Sequence, residues 1–137
     1  MLFAQKALYE SKKQFAVWDF LISHGQLLLR ADKIRDSRGI NTDVIFSGTA
    51  YMQLPTYLMG GIAILQDTSS KRFGYKTIDD GLDKGYYNVF EIKADDTSYY
   101  VVAGTFGVFE NELPFGKTSL GVAQNEGRNK KIAGNAI

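Results

Sequence analysis

Asn41–Leu65, NTDVIFSGTAYMQLPTYLMGGIAIL, holds the longest clean two-residue alternation in the chain, and its reading decides the fold. In an extended strand successive side chains point to opposite faces. Val44, Phe46, Gly48, Ala50, Met52 and Leu54 therefore share one face, and Asp43, Ile45, Ser47, Thr49, Tyr51 and Gln53 the other. That is the pattern of a half-buried strand. Gly48 stands where a side chain would otherwise pack, so a bend, a bulge or a close backbone approach is expected there. Pro55 removes a backbone donor and ends the pairing. After Met59-Gly60-Gly61, the short apolar run Ile62–Leu65 returns as a neighbouring strand. The whole stretch reads as the central hairpin of a β-rich domain.

Upstream, FAVWDFLIS (Phe15–Ser23) and QLLLRA (Gln26–Ala31) are apolar on both faces nearly throughout. Ser23-His24-Gly25 between them suits a tight turn, with Gly25 free to take positive φ. This first hairpin belongs near the middle of a sheet, or covered on both sides. Asp32–Gly39 is a charged loop. Met1–Glu10 places Leu2, Phe3, Ala7 and Leu8 within two helical turns but has no good cap, so residues 1–14 read as a short helix or an extended arm.

Downstream, Gln66–Gly85 is the longest polar interval, with a short helix signalled from Thr77. A connection of that length inside a compact domain is commonly functional, which makes it the first place to look for a partner surface. Tyr87–Lys93 and Ser98–Glu110 are strands joined by Ala94-Asp95-Asp96-Thr97, whose aspartates can bond their own backbone. Gly104 and Gly107 fall where so long a strand needs to coil or bulge. Lys117–Ile137 is poor in large apolar residues after Val122 and reads as a weakly ordered tail or a marginal terminal helix.

The 137 residues are the length of a single domain, and 45% hydrophobic with 23% charged residues is an ordinary globular composition. Sixteen basic against fifteen acidic residues give a net charge of +1. No overall field draws such a chain to nucleic acid or to an anionic membrane. The absence of cysteine excludes disulfides, thiolate metal sites and cysteine nucleophiles. No signal-peptide pattern and no apolar run of membrane-spanning length is visible, so the expected location is the cytoplasm.

No motif for catalysis or cofactor binding survives inspection. His24 is the single histidine, GxSxG is missing, and a turn histidine fits without chemistry. FGKTS (Phe115–Ser119) ends like a phosphate-binding loop, but Asn111 stands where that motif needs glycine. IDDGLDKG (Ile78–Gly85) gathers Asp79, Asp80 and Asp83 without the spacing of a calcium loop, and reads as a solvated acidic segment. The expectation is therefore a domain that is not an enzyme and has no cofactor or metal. The enzyme alternative is a hydrolase using scattered carboxylates such as Asp19, Asp43 or Glu91.

Aromatic content is what stands out: one Trp, eight Tyr and nine Phe. The doublets Tyr86-Tyr87 and Tyr99-Tyr100 put adjacent rings on opposite sheet faces, so a single core cannot take them all. Burial under a second layer is favoured over an exposed recognition surface. The candidate binding residues are Tyr75, Tyr86, Tyr87 and Tyr99, with Asp79 and Asp80 of the acidic segment.

SHGQLLLRAD (Ser23–Asp32), TDVIFSGTAYMQLP (Thr42–Pro55) and GGIAI (Gly60–Ile64) together resemble the small bacterial β-domain proteins that include immunity proteins encoded beside secreted toxins. The resemblance covers the first half of the chain and carries no catalytic or binding residue with it. It implies a protein partner. The combined expectation is a single mainly β domain over residues 1–137, an antiparallel sandwich or open barrel of seven to nine strands with one or two short helices. It would bind a protein or itself, in an immunity or adaptor role, without nucleic acid or membrane. The alternative is a barrel that binds a small molecule or carbohydrate in an apolar cavity.

Overall fold

The computed structural model describes residues 6–121 and 126–135. In chain order the strands are β1 (Tyr9–Ser11), β2 (Phe15–Leu21), β3 (Gln26–Ala31), β4 (Asn41–Ser47), β5 (Tyr51–Gln53), β6 (Tyr57–Leu58), β7 (Ile62–Gln66), β8 (Asn88–Ala94), β9 (Thr97–Ala103), β10 (Thr105–Asn111) and β11 (Lys130–Gly134). One α-helix, α1 (Lys76–Asp83), lies between β7 and β8. The strands form two antiparallel sheets, ordered β1-β7-β8-β9-β5 and β11-β10-β4-β3-β2-β6. Both sheets have free edges and no closed barrel forms, an architecture consistent with the expected β-sandwich. Among the described residues no helix is long and apolar enough to cross a membrane.

Inward-facing residues of both sheets fill the interior. Leu27, Leu29, Val44 and Phe46 from one sheet meet Ile64, Phe90, Ile92 and Val101 from the other. Phe46, Phe90 and Phe106 pack with ring centroids 5.3 to 5.8 Å apart, an edge-on and tilted arrangement that closes the centre. These side chains fill the space between the two sheets.

The two hairpins read from sequence are present. β2 pairs with β3 across a short 3-10 turn at Ser23–Gly25, in which Gly25 takes φ 55°. β8 pairs with β9 across Asp95-Asp96, both with left-handed φ. The central hairpin is not present. β4 pairs with β3 and β10, while β7 lies in the opposite sheet between β1 and β8.

Gly48 is the physical reason. Its φ of 66° turns the chain out of one sheet, so that the alternation beginning in β4 continues as β5, which pairs with β9 in the other. Gly104 marks a second crossing, between β9 and β10, where the sequence reads one long coiled strand. The Gly104 N–H donates to the Ser47 carbonyl at 2.9 Å, locking the two corners together. The two crossings and the short strands β1, β6 and β11 bring the strands among the described residues to eleven, above the seven to nine expected.

β4 is also buried on both faces from Asn41 to Phe46, not on one. Leu113, Ser119 and Leu120 are buried in the segment after β10, and Leu120 packs with Leu28 and Ile45 on the outer face of the six-stranded sheet. Residues 67–87 serve the five-stranded sheet in the same way, and Leu65, Val89 and Val102 are buried on its outer face. Two connections thus cover the outer faces, but of the two tyrosine doublets only Tyr99–Tyr100 lies in a strand, and Tyr86 stays exposed. The segment expected to be a weak tail or terminal helix instead contributes β11, which pairs with β10. At the other end the chain forms β1 where a helix was one reading. Leu2 and Phe3 lie outside the described residues.

Candidate functional site

The outer face of the six-stranded sheet carries one row of residues directly opposite each other: Asp43 on β4, Arg30 on β3, Ala16 on β2 and Tyr57 on β6. Asp43 and Arg30 form a fully buried ion pair. Arg30 Nε donates to Asp43 Oδ1 at 2.7 Å and Nη2 to Oδ2 at 2.9 Å, the two-pronged geometry of a guanidinium on a carboxylate. Arg30 Nη1 donates to the Lys117 carbonyl at 2.8 Å. Asp43 Oδ2 also accepts from Asn111 Nδ2 at 2.8 Å and from Ser119 Oγ at 2.7 Å. The pair therefore fastens the covering segment to the sheet.

Beside it, Ala16 is too small to fill the space between Arg30 and Tyr57, and a cleft of about 570 Å³ opens there. A bulge between Val17 and Asp19 places Trp18 on its wall. The Arg30 guanidinium carbon lies 5.3 Å from the Trp18 ring centroid. Phe115, held out by the turn after Pro114, meets Trp18 edge-on at 5.6 Å. Tyr57 and Phe115 are 67% and 69% exposed, and Met59 is exposed on the same rim. Arg35 closes the far side, its Nη1 donating to Gln14 Oε1 at 3.0 Å. Three of the five N–H groups of Arg30 are committed to Asp43 and Lys117.

Trp, Tyr, Phe, Met and Arg around a concave floor are the residue types enriched where proteins dock. Sequence reading missed every one of them. A signal existed: Arg30 and Asp43 are lone opposite charges inside two apolar runs, which marks a buried pair. Tyr57 and Phe115 each follow a proline closely, as aromatics presented by turns do.

The residues that sequence did single out are placed differently. Asp79 accepts the backbone N–H groups of Phe73 and Gly74, and Asp80 pairs with Lys76 one helical turn away. Both carboxylates hold their own segment together. Tyr86 is 66% exposed with Lys84 over its ring, while Tyr87 packs against Gly81 and is half-buried. Tyr99 turns inward and packs on the main core, away from the others. Tyr75 is 58% exposed and joins a ring cluster, 5.9 Å from Tyr51, which lies 4.9 Å from Phe73. Tyr100 completes the cluster, 6.3 Å from Phe73.

Ser23 Oγ and His24 Nδ1 are 2.9 Å apart at an exposed turn, with no carboxylate on the other ring nitrogen. His24 itself has φ 64°, and its carbonyl accepts from Gly48, so it serves the turn. Asp19, Asp43 and Glu91 are not brought together: Asp43 is consumed by Arg30, and Glu91 lies in the opposite sheet. Among the described residues no group of three or more metal-ligating side chains is assembled. Comparison with known proteins found no matching family, no matching curated protein and no matching solved structure.

Proposed function

We propose that this chain is a non-catalytic protein-binding domain, of the adaptor or immunity kind and working in the cytoplasm, and that its docking surface is the cleft over Ala16. The observation that carries the reading is the convergence of Trp18, Tyr57, Met59 and Phe115 around Arg30 and Arg35 in one cleft of about 570 Å³. Exposed aromatics scattered singly need no explanation, but several gathered around one concave floor do. The near-neutral net charge supports a protein partner over a polyanion, which demands clustered Lys and Arg. The tyrosine segment is the weaker surface, because its carboxylates are satisfied locally and Tyr99 faces inward.

Photo-crosslinking tests this. A benzophenone amino acid placed at Tyr57 should capture one protein in host cells, and the adduct should disappear when Ala16→Phe fills the cleft. Capture from Tyr57 that ignores Ala16→Phe would contradict the reading.

A further inference from the structure

On the opposite face of the molecule, the ring cluster over the five-stranded sheet already holds a cation. Lys71 Nζ lies 4.5 Å from the centroid of Tyr100 and 5.9 Å from that of Phe73. The two rings stand at 70° to each other and so form two walls of a corner. Among the described residues Lys71 has no carboxylate within ion-pair distance. A half-buried ammonium is thus held by ring faces alone, the arrangement by which aromatic quadrupoles recognise cations. The residue before it, Ser70, sits at φ 60°, unfavourable for a side chain other than glycine or asparagine.

Next to the corner stands an acid without a cation. Glu91 lies directly opposite Tyr100 across β8 and β9, on the same outward face, where side chains approach to within about 5 Å at Cβ. Its carboxylate accepts a hydrogen bond from Ser98 Oγ, and among the described residues no ion pair involves it. Lys71 therefore reaches the rings but leaves the acid unpaired. A planar guanidinium, which can stack on a ring while its edge donates to a carboxylate, satisfies both.

We propose that the Phe73–Tyr100 corner and Glu91 form a subsite for an arginine side chain of a protein partner, and that Lys71 is its built-in competitor. Binding displaces the Lys71 ammonium into water, so the subsite is self-masked. The proposal stands on a different face from the Ala16 cleft and does not depend on it.

The test titrates Nα-acetyl-arginine amide, with the citrulline analogue as uncharged control, against nitrogen-labelled protein followed by NMR. Lys71→Ala should tighten binding of the arginine compound by about two- to fivefold, the worth of one exposed ring contact. Shifts should centre on Phe73, Tyr100 and Glu91. The citrulline compound should bind neither form, and Lys71→Ala/Glu91→Gln should lose most of the gain. Equal binding by wild type and Lys71→Ala, equal binding of citrulline, or no saturable shift with Lys71→Ala would each overturn the proposal. Unchanged melting temperatures for Lys71→Ala and Glu91→Gln, both half-buried, show that the fold is intact.

Discussion

Arg30 and Asp43 show how much a single residue can organise. Each is the lone charge in an apolar strand, and each is enclosed because the other is there, with Ser119 and Asn111 completing the carboxylate's shell. Truncating one partner leaves the other buried and uncompensated. Arg30→Met or Asp43→Ala should therefore cost about 3–5 kcal/mol, read as a fall in the urea midpoint. The double variant Arg30→Met/Asp43→Leu should lose less than the sum of the two, since no orphan charge remains. At the β8–β9 turn the direction reverses. Asp95 and Asp96 both adopt left-handed φ, 51° and 60°, which a two-residue hairpin loop requires and which Asn-Gly adopts with less strain. Asp95→Asn/Asp96→Gly should stabilise the protein by about 0.5–1 kcal/mol by the same measurement. At this scale the sequence was readable where a residue's neighbours are local. The turn aspartates and Gly25 announced themselves. Trp18, Tyr57 and Phe115 did not, because the surface they make is assembled from segments distant in sequence.

Among the elements, β4 teaches why alternation alone misplaces a strand. Period two fixes which side chains share a face, but not which strand lies alongside, and Gly48 let one continuous pattern serve two sheets. The hairpins β2–β3 and β8–β9 were legible because their partners follow within a few residues. β11 was illegible because its pairing partner, β10, lies across a long connection and its own residues are polar. Gly48→Ala should destabilise by about 1–2 kcal/mol, since φ 66° is costly for a residue with a Cβ. β11 is fastened by Glu110, which pairs with Lys130 at 2.9 Å and with Arg38 at 2.8 Å. Lys130 first, then Arg38, hold its carboxyl below the usual range. A folded-state pKa lowered in this way contributes stability above the ordinary carboxylate pKa and loses it as pH falls through the lowered value. The advantage of wild type over Glu110→Gln should accordingly be constant near neutral pH and shrink to nothing in acid, as urea midpoints taken across that range will show.

For the whole molecule, the decisive feature is that both sheets are covered on their outer faces by long connections, one of which carries α1. That cover buries β4 completely yet stops short at Ala16, and the cleft is what it leaves open. The sheet edges are protected in a different way. β1, β5 and β6 are two or three residues long, and β11 carries Lys130 and Lys131 with a bulge opposite Val108 and Phe109. Such edges resist strand-by-strand association, which directs recognition to side-chain surfaces instead. Lys130→Val/Lys131→Val should promote self-association, visible by sedimentation as a concentration-dependent increase in mass. Trp18 offers the most direct test of the cleft, because it is the chain's single tryptophan and stands on the cleft wall. With 5-fluorotryptophan incorporated into this chain alone, fluorine NMR gives one resonance for that wall. Adding the protein captured through Tyr57 should shift that resonance saturably, and Ala16→Phe should abolish the shift while leaving the melting temperature within a few degrees. A partner that binds wild type and Ala16→Phe with equal affinity and leaves the Trp18 resonance where it was would contradict the account.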